Sequence, residues 1–430
     1  MNHTNETEVT IEGGNSPGKN LLLPFILVIS LFFLWGMAHN LDSVLIPHLK
    51  KAFNLNNSES TLIDTSIFFA YFLMAIPAGI ILKKWGYKVS MITGLLTFAI
   101  GAFLFVPAAN ELSYITFLIA LFIIGCGLTI LETSANPYAA VLGDPAKSTF
   151  RLNLAATFNG LAAPVSAFVG TFILSGKSHS QDELAAMTDV ARNAYFLQEA
   201  STVKLPYIIL GTVVVLVALL FCFMKLPEIK TKSIDGEAKG SFFGALKHKH
   251  LRWAVIAQFF YVGAQVCVTS FFIRAAQQGG GFDELTALKF LALYGTLFLV
   301  GRFVGTFLLR FIASQKLLSI YAVVAALLSL VAIFGEGSYV VYALGGLGFF
   351  MSIMFPTIFG LGIEGIGDDT KPGSSWLIMA IVGGAVIPFL MGMLIDHYGD
   401  NIQIGYSVPF VCYLVILYFG ISGYKISVKR

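Results

Sequence analysis

The stretch Tyr114-Ile-Thr-Phe-Leu-Ile-Ala-Leu-Phe-Ile-Ile-Gly-Cys-Gly-Leu-Thr-Ile130 decides the fold, because none of its seventeen residues is charged. A membrane-spanning helix needs about twenty predominantly apolar residues. Similar runs occupy 21–35 and 208–224, and the whole chain is 57% hydrophobic and only 12% charged. Soluble domains carry roughly a quarter charged residues. The sequence therefore predicts a polytopic α-helical protein whose solvent is the lipid bilayer.

Apolar runs between polar breaks predict twelve transmembrane helices, and an even number of spans places both termini on one side. The expected helices cover 21–50, 60–82, 89–108, 113–141, 151–175, 204–225, 251–277, 285–311, 316–334, 338–364, 373–396 and 405–424.

Basic residues indicate the orientation. With the termini inside, twenty of the 27 Lys and Arg residues, Arg302 among them, fall on the inner side and seven on the outer side. Cytoplasmic loops of membrane proteins carry an excess of Lys and Arg. Both termini are therefore expected to be cytoplasmic.

Proline spacing suggests that the chain consists of two related halves. Pro137 and Pro356 are 219 positions apart, and Pro164 and Pro388 are 224 apart, which is close to half of the chain. Two pseudo-symmetric six-helix bundles around a central site are the architecture of major facilitator transporters. The predicted domains are a cytoplasmic N-terminal tail at 1–20, an N-terminal bundle at 21–226, a cytoplasmic linker at 227–250 and a C-terminal bundle at 251–430.

Several function classes are disfavoured. The net charge of +3 is small and dispersed, which argues against a nucleic-acid partner, and the four cysteines lack metal-ligand spacing. Gly13-Gly-Asn-Ser-Pro-Gly-Lys-Asn20 approaches a phosphate-binding loop but ends in Asn and follows no predicted strand. No motif of a nucleophilic or metal-dependent membrane enzyme occurs. We expect no enzyme activity, no metal and no cofactor.

Two carboxylates lie in apolar segments, where ionisable groups are costly and are therefore functional candidates. Glu132 shares a helix face with Thr129 and Asn136, which predicts a cavity-facing site for proton coupling, although a structural hydrogen-bonding cluster is the alternative. Asp42 stands three residues after His39, which could pair with it. For Asp42, proton coupling and a plain interfacial carboxylate are equally favoured.

Uncharged amides at membrane depth suggest a polar, uncharged solute. Sugar hydroxyls need groups that both donate and accept hydrogen bonds, as amides do. Aromatic rings can stack on the apolar face of a sugar. The predicted substrate-binding residues are Asn40, Asn136, Asn159, Gln265, Phe298 and Phe355.

Ten short stretches of the chain carry a family resemblance: Leu31-Phe-Phe-Leu-Trp-Gly36, His39-Asn-Leu41, Pro77-Ala-Gly79, Leu131-Glu-Thr-Ser-Ala-Asn-Pro-Tyr138, Phe150-Arg-Leu-Asn-Leu154, Thr157-Phe-Asn159, Arg252-Trp-Ala-Val255, Tyr261-Val-Gly-Ala-Gln265, Gly301-Arg-Phe303 and Pro356-Thr-Ile-Phe359. Together they resemble the fucose:proton symporter family of the major facilitator superfamily. The blocks that begin at Leu131 and Phe150 are the most specific.

The resemblance implies alternating access, in which two halves rock about a central sugar site while a carboxylate takes up and releases a proton. Glu132 matches the family's proton-coupling carboxylate, and Asn40 and Asn159 match its sugar-contacting asparagines. Phe298 and Phe355 fall at aromatic positions, Phe355 in place of a tyrosine. The chain departs from the pattern at Ser43, where the family has a carboxylate, and at Ala156, where it has a glutamine.

The expected function is proton-coupled symport of L-fucose or a related hexose by a monomer in the cell membrane, of the bacterial inner-membrane type. A sodium-coupled glucose or galactose symporter is the alternative within the same family. Proton movement opposite to the substrate would indicate a drug or metabolite antiporter. Binding without flux would indicate a non-transporting sugar receptor, and covalent turnover a membrane enzyme.

Overall fold

The computed structural model describes residues 9–12, 21–52, 57–173, 187–202, 204–224, 226–231 and 242–426. It describes the backbone alone for 9–12, 41–52, 57–65, 164, 167–173, 189, 192–193, 196, 199–200, 202, 228–231 and 284. The predicted N-terminal tail, the linker and the outer loop at 175–204 therefore lie partly outside the described residues. We name the end of the bundle near Lys83, Arg310 and Lys371 the inner end, after the predicted topology.

Fifteen α-helices and two short strands make up the described part of the chain. The strands are β1 (Val9–Glu12) and β2 (Glu228–Thr231). The helices of the first half are α1 (Leu22–Ala52), α2 (Asn57–Asn110), α3 (Tyr114–Val141), α4 (Ser148–Ile173), α5 (Asp189–Thr202) and α6 (Lys204–Phe223). Those of the second half are α7 (Lys249–Gln278), α8 (Glu284–Leu308), α9 (Ser314–Phe334), α10 (Ser338–Met351), α11 (Met354–Gly362), α12 (Thr370–Met379), α13 (Gly383–His397), α14 (Ile402–Gly405) and α15 (Ser407–Tyr418).

The described helices account for twelve membrane crossings, as the sequence predicts. Ten segments are long and apolar enough to cross a membrane, and one of them, Ser66–Asn110, contains two spans. These two spans meet at Gly86, whose φ of 77° lies in the left-handed region that only glycine adopts at low cost. Helix α4 supplies the remaining span. The predicted all-α membrane architecture is confirmed.

The spans of the second half are more interrupted than expected. The predicted helix at 338–364 is two helices, because the backbone between Met351 and Met354 leaves the α-helical path. The predicted helix at 373–396 likewise consists of α12 and α13, joined by a 3-10 turn at Ala380–Val382. Such breaks leave main-chain carbonyls without their helical partners, and one of these carbonyls, that of Ser352, belongs to the site described below.

Each half is packed through close helix contacts. In the first half α1 packs against α4, and α2 packs against α3 and α6. Small residues permit this approach: a Cβ on Gly127 would lie 2.8 Å from the Cα of Phe98. In the second half α8 packs against α10, and α7 against α13 and α15. The two halves meet where α4 contacts α8 and α11, and where α12 contacts α2 and α3.

A helix and a pair of strands lie outside the predicted spans. Helix α5 occupies part of the predicted outer loop and packs against α1. Strands β1 and β2 pair antiparallel, so the N-terminal tail is joined to the start of the linker. Further along, the linker is fixed to the second half: Trp376 donates its indole N–H to the carbonyl of Phe242 at 2.8 Å. The exact boundaries of the two predicted bundles remain predictions.

Candidate functional site

A cavity of about 530 Å³ lies between the two halves. Six of the eight predicted site residues line its wall, namely Asn40, Glu132, Asn136, Asn159, Gln265 and Phe355. The backbone of Asp42 lies in α1, but its side chain is outside the described part of the structure. Phe298 is not among the lining residues. The helices that converge on the cavity are thus mostly those that the sequence indicated.

Glu132 is held at the cavity wall by residues from two other helices. Its side chain is 7% exposed, and one carboxylate oxygen accepts a hydrogen bond from the Tyr71 hydroxyl of α2. The same hydroxyl lies 3.2 Å from Nε2 of His39 in α1. His39 Nε2 is itself 3.9 Å from the Glu132 carboxylate. A histidine, a phenol and a carboxylate therefore form a chain across three helices.

The polar face predicted for α3 is only partly correct. Glu132 and Asn136 border the cavity, and the Asn136 amide donates to the Glu132 carbonyl at 3.0 Å. Thr129 is fully buried and donates its hydroxyl to the carbonyl of Gly125 at 2.7 Å. A threonine can satisfy its hydroxyl within its own helix in this way. Thr129 therefore belongs to the helix packing.

Two of the asparagine amides on the cavity wall, those of Asn40 and Asn159, are anchored to the backbone of α1. Asn40 donates to the carbonyl of Gly36 at 2.7 Å, and Asn159 of α4 donates to that of Phe32 at 3.1 Å. Each amide uses one N–H in these described contacts and keeps a carbonyl oxygen as an acceptor. Together with the Gln265 amide from α7, they provide hydrogen-bonding groups on both sides of the cavity.

The structure corrects the assignment of Arg302, which the predicted topology counted among the residues of the inner side. Its side chain is buried at the junction of the halves, with 6% exposure. Nη1 donates to the carbonyl of Ala156 in α4 at 2.8 Å, and Nε to the carbonyl of Ser352 at 2.9 Å. The break between α10 and α11 makes the Ser352 carbonyl available. Phe298 packs under the guanidinium, whose carbon lies 4.7 Å from the ring centre.

Sequence reasoning missed Tyr71 and Arg302 as site residues. An arginine in an otherwise apolar segment was a detectable signal, because an ionisable group inside the membrane is a functional candidate. Tyr71 carried no such signal, since a tyrosine is compatible with any membrane helix. Only the approach of α2 to α1 and α3 reveals its contacts.

The cavity is closed toward the inner end by contacts between the halves. Asn153 of α4 donates to the hydroxyl of Thr357 in α11, with 3.1 Å between the two atoms. Nearer the cavity, the hydroxyls of Thr157 and Thr306 are 3.3 Å apart. At the surface, the Lys371 ammonium lies 5.3 Å from the ring centre of Tyr87. These layers separate the cavity from the inner side.

Comparisons with known proteins agree with this geometry. The model of the Major Facilitator Superfamily matches residues 25–372. The chain is 42% identical to the L-fucose-proton symporter of Escherichia coli, over 93% of each protein. It is 36% identical to the glucose/galactose transporter of Brucella abortus, over 95% of the chain and 96% of that protein. The crystal structure of the transporter FucP in the outward conformation superimposes with a TM-score of 0.87 at 42% identity, covering 93% of the chain and 98% of FucP.

Proposed function

Because the chain belongs to the Major Facilitator Superfamily, we propose that it carries a sugar across the membrane together with a proton, with L-fucose or a related hexose as the substrate. It is a multi-pass transporter of the bacterial inner membrane and not an enzyme. The family transports by exposing a central site alternately to the two sides. We propose that a monomer with cytoplasmic termini carries out this cycle.

One observation carries the choice of coupling ion: the side chain of Glu132 borders the cavity and accepts a hydrogen bond from Tyr71. A nearly buried carboxylate is costly while it is charged, and protonation removes that cost. Uptake of a proton by Glu132 from the outer side therefore favours the closed transporter with bound sugar. Release of that proton on the inner side favours the return of the empty transporter to the outward-facing state. A sodium ion would need several oxygen ligands, whereas Tyr71 presents a donor hydrogen.

The cavity wall supports a sugar as the solute. Asn40, Asn159 and Gln265 offer donors and acceptors, and Trp35 and Phe355 provide apolar rings. Ala156 also lines the cavity, at the place where the fucose:proton family has a glutamine. Its methyl group removes a hydrogen-bonding partner for one sugar hydroxyl. Ala156 therefore marks the part of the site at which the preference among hexoses is set.

A glucose or galactose transporter is the second candidate. It is supported by the similarity to the Brucella protein and by the departure at Ala156. Uptake of radiolabelled L-fucose, glucose and galactose into proteoliposomes, each under an inward proton gradient or an inward sodium gradient, distinguishes the candidates. We expect L-fucose to accumulate under the proton gradient and the accumulation to collapse when a protonophore is added. Accumulation that depends on sodium would contradict proton coupling.

The coupling residue is tested with Glu132→Gln, which keeps the shape of the side chain and removes its ionisation. We expect this variant to lose accumulation against a gradient and to keep exchange of internal for external sugar. The exposed Glu336 provides the matched control, and Glu336→Gln should accumulate sugar as the wild type does. Binding without either flux or exchange in the wild type would indicate a non-transporting receptor.

A further inference from the structure

The proposed proton site is poorly accessible from the cavity. The Glu132 side chain is 7% exposed, whereas that of His39, at the other end of the three-residue chain, is 40% exposed. Tyr71, between them, is 1% exposed and contacts both partners through its single hydroxyl. The rings of His39 and Tyr71 are nearly parallel, with 18° between their planes. The cavity thus reaches the histidine more readily than the carboxylate.

We infer that His39 and Tyr71 form a proton relay that loads Glu132 from the cavity. This inference rests on the proposed function, because it assumes that Glu132 is the proton-binding residue. His39 takes up a proton at Nδ1 from a hydronium ion in the cavity, which leaves a water molecule. It gives the Nε2 proton to the Tyr71 oxygen, while the Tyr71 hydroxyl proton passes to the Glu132 carboxylate. The imidazole ends neutral in its other tautomer, the phenol is unchanged and the carboxylate has become a carboxylic acid.

The donor and acceptor chemistry supports this direction of transfer. A neutral imidazole carries a donor on one nitrogen and an acceptor on the other, and a phenol can accept and donate at the same oxygen. Among free side chains, imidazole is also the one that changes its protonation closest to neutral pH. Each transfer needs heavy atoms within hydrogen-bonding reach, a condition that both contacts of Tyr71 meet.

Other charged or titratable groups near the relay are few in the described part of the cavity. Besides His39, Tyr71 and Glu132, the described lining contains Tyr261 and Arg302. Arg302 donates to two backbone carbonyls, and Tyr261 donates to the carbonyl of Met351 at 3.2 Å. Asp42 follows His39 by three residues, and its side chain is not among those that the structure describes. Every variant below therefore retains Asp42.

The relay predicts that His39 and Tyr71 act on proton loading more than on sugar binding. In Tyr71→Phe, which retains the ring, we expect the initial rate of proton-driven L-fucose uptake to fall about a hundredfold, the lower end of general acid–base effects. The rate of sugar exchange should stay within about twofold of the wild type. His39→Ala should behave in the same way. Tyr406→Phe, which also removes a fully buried hydroxyl, is the matched control and should transport normally.

External imidazole separates proton transfer from a structural role. His39 is accessible, so imidazole can replace its side chain in His39→Ala and raise proton-driven uptake toward the wild-type rate. Imidazole should not raise proton-driven uptake by Tyr71→Phe, because in that variant the missing hydroxyl lies between the histidine and Glu132. The wild type, measured with and without imidazole, is the control for any effect of imidazole on the proton gradient. If His39→Ala fails to exchange sugar, His39→Gln replaces it in the comparison of uptake with exchange.

The outcomes distinguish this inference from the proposed function. If the wild type shows proton-driven uptake, and both Tyr71→Phe and His39→Gln take up sugar at the wild-type rate, the relay is overturned and the proposed function stands. Equal loss of uptake and exchange in both variants would also overturn it, because that result indicates a structural role. If the wild type itself shows no proton-driven uptake, both proposals fail.

Discussion

Asn153 of α4 donates its side-chain amide to the hydroxyl of Thr357 in α11 across 3.1 Å, and both residues are fully buried. The two residues belong to opposite halves of the transporter and are 204 positions apart. Alternating access requires such contacts to break each time the inner end opens. The strength of this small polar layer therefore helps to set the balance between the two conformations.

Thr357→Val keeps the volume of the side chain and removes the hydroxyl that Asn153 contacts. A buried hydrogen bond contributes about 1 kcal/mol, which corresponds to a shift of about fivefold in the equilibrium between conformations. We expect the ratio of outward-facing to inward-facing molecules to decrease by this factor. A cysteine introduced at Thr269, in the cavity wall, should then react more slowly, by up to about fivefold, with an impermeant thiol reagent applied from outside.

Ser329→Ala is the control for Thr357→Val in the same thiol-labelling measurement. Ser329 is also fully buried, but its hydroxyl donates to the Ala325 carbonyl of its own helix. Its loss should leave the labelling rate at position 269 unchanged. Equal effects of the two substitutions would contradict the assigned role of the Asn153–Thr357 contact.

Gly79 allows a close contact between the two halves, whereas Gly301 allows one within the second half. Substitution of the two glycines should therefore have different effects. A Cβ on Gly79 would overlap the Ser375 hydroxyl of the opposite half, a contact that exists only while the inner end is closed. Gly79→Val should therefore slow labelling of the cavity from outside and leave the thermal midpoint Tm close to that of the wild type.

A Cβ on Gly301 would instead lie 2.8 Å from the Cα of Phe349 within the same half. No rocking of the halves relieves that overlap, so Gly301→Val should lower Tm and the yield of folded protein. Size-exclusion profiles and thermal unfolding in detergent measure both quantities. A Gly79→Val protein that is as unstable as Gly301→Val would contradict the assignment of Gly79 to the moving interface.

Arg302→Lys tests the link between the helix break and the first half. Lysine has one nitrogen in place of the planar guanidinium, so it cannot reproduce both contacts, to Ser352 and to Ala156. A buried carbonyl left without a donor costs about 1–3 kcal/mol. We expect Tm to fall by a few degrees and L-fucose uptake to decrease. Arg252→Lys, at an exposed arginine for which the described part of the chain shows no side-chain contact, should leave both unchanged.

Asp283 predicts a pH-dependent contribution to stability at the start of α8. It is the N-cap residue, and hydrogen bonds from Thr286 lower the pKa of its carboxyl below the usual value of 3.8. A carboxyl whose pKa is lower in the folded state stabilises that state above its unfolded pKa, and this contribution is lost as the pH falls through the folded pKa.

Asp283→Ala should therefore lower Tm at pH 7, and the difference from the wild type should close as the pH falls below about 3.8. Asp283→Asn keeps the capping oxygen without the charge, so it should lie closer to the wild type at pH 7. A difference between wild type and Asp283→Ala that is the same at pH 7 and at pH 3 would contradict the titration of Asp283.

The membrane spans and the carboxylate at the cavity wall could be predicted because their signals are local. Each span is a run of apolar residues, and Glu132 is conspicuous as a charge within such a run. The broken helices at 352–353 and 380–382 do not show in hydropathy, because both segments remain largely apolar. The local signal of the first break was Pro356, which has no N–H to donate to the Ser352 carbonyl. Helix α5 was missed for the opposite reason, since its mixed polar sequence is typical of a loop.

The sequence by itself determined that this protein is a twelve-helix membrane transporter with amides and a carboxylate at membrane depth, because composition and the spacing of apolar residues suffice for that. Only the tertiary structure decided which polar groups meet. His39, Tyr71 and Glu132 come from three helices and are separated by 32 and 61 residues along the chain. Their contact depends on how α1, α2 and α3 pack against one another, and helical periodicity within one segment carries no information about that packing.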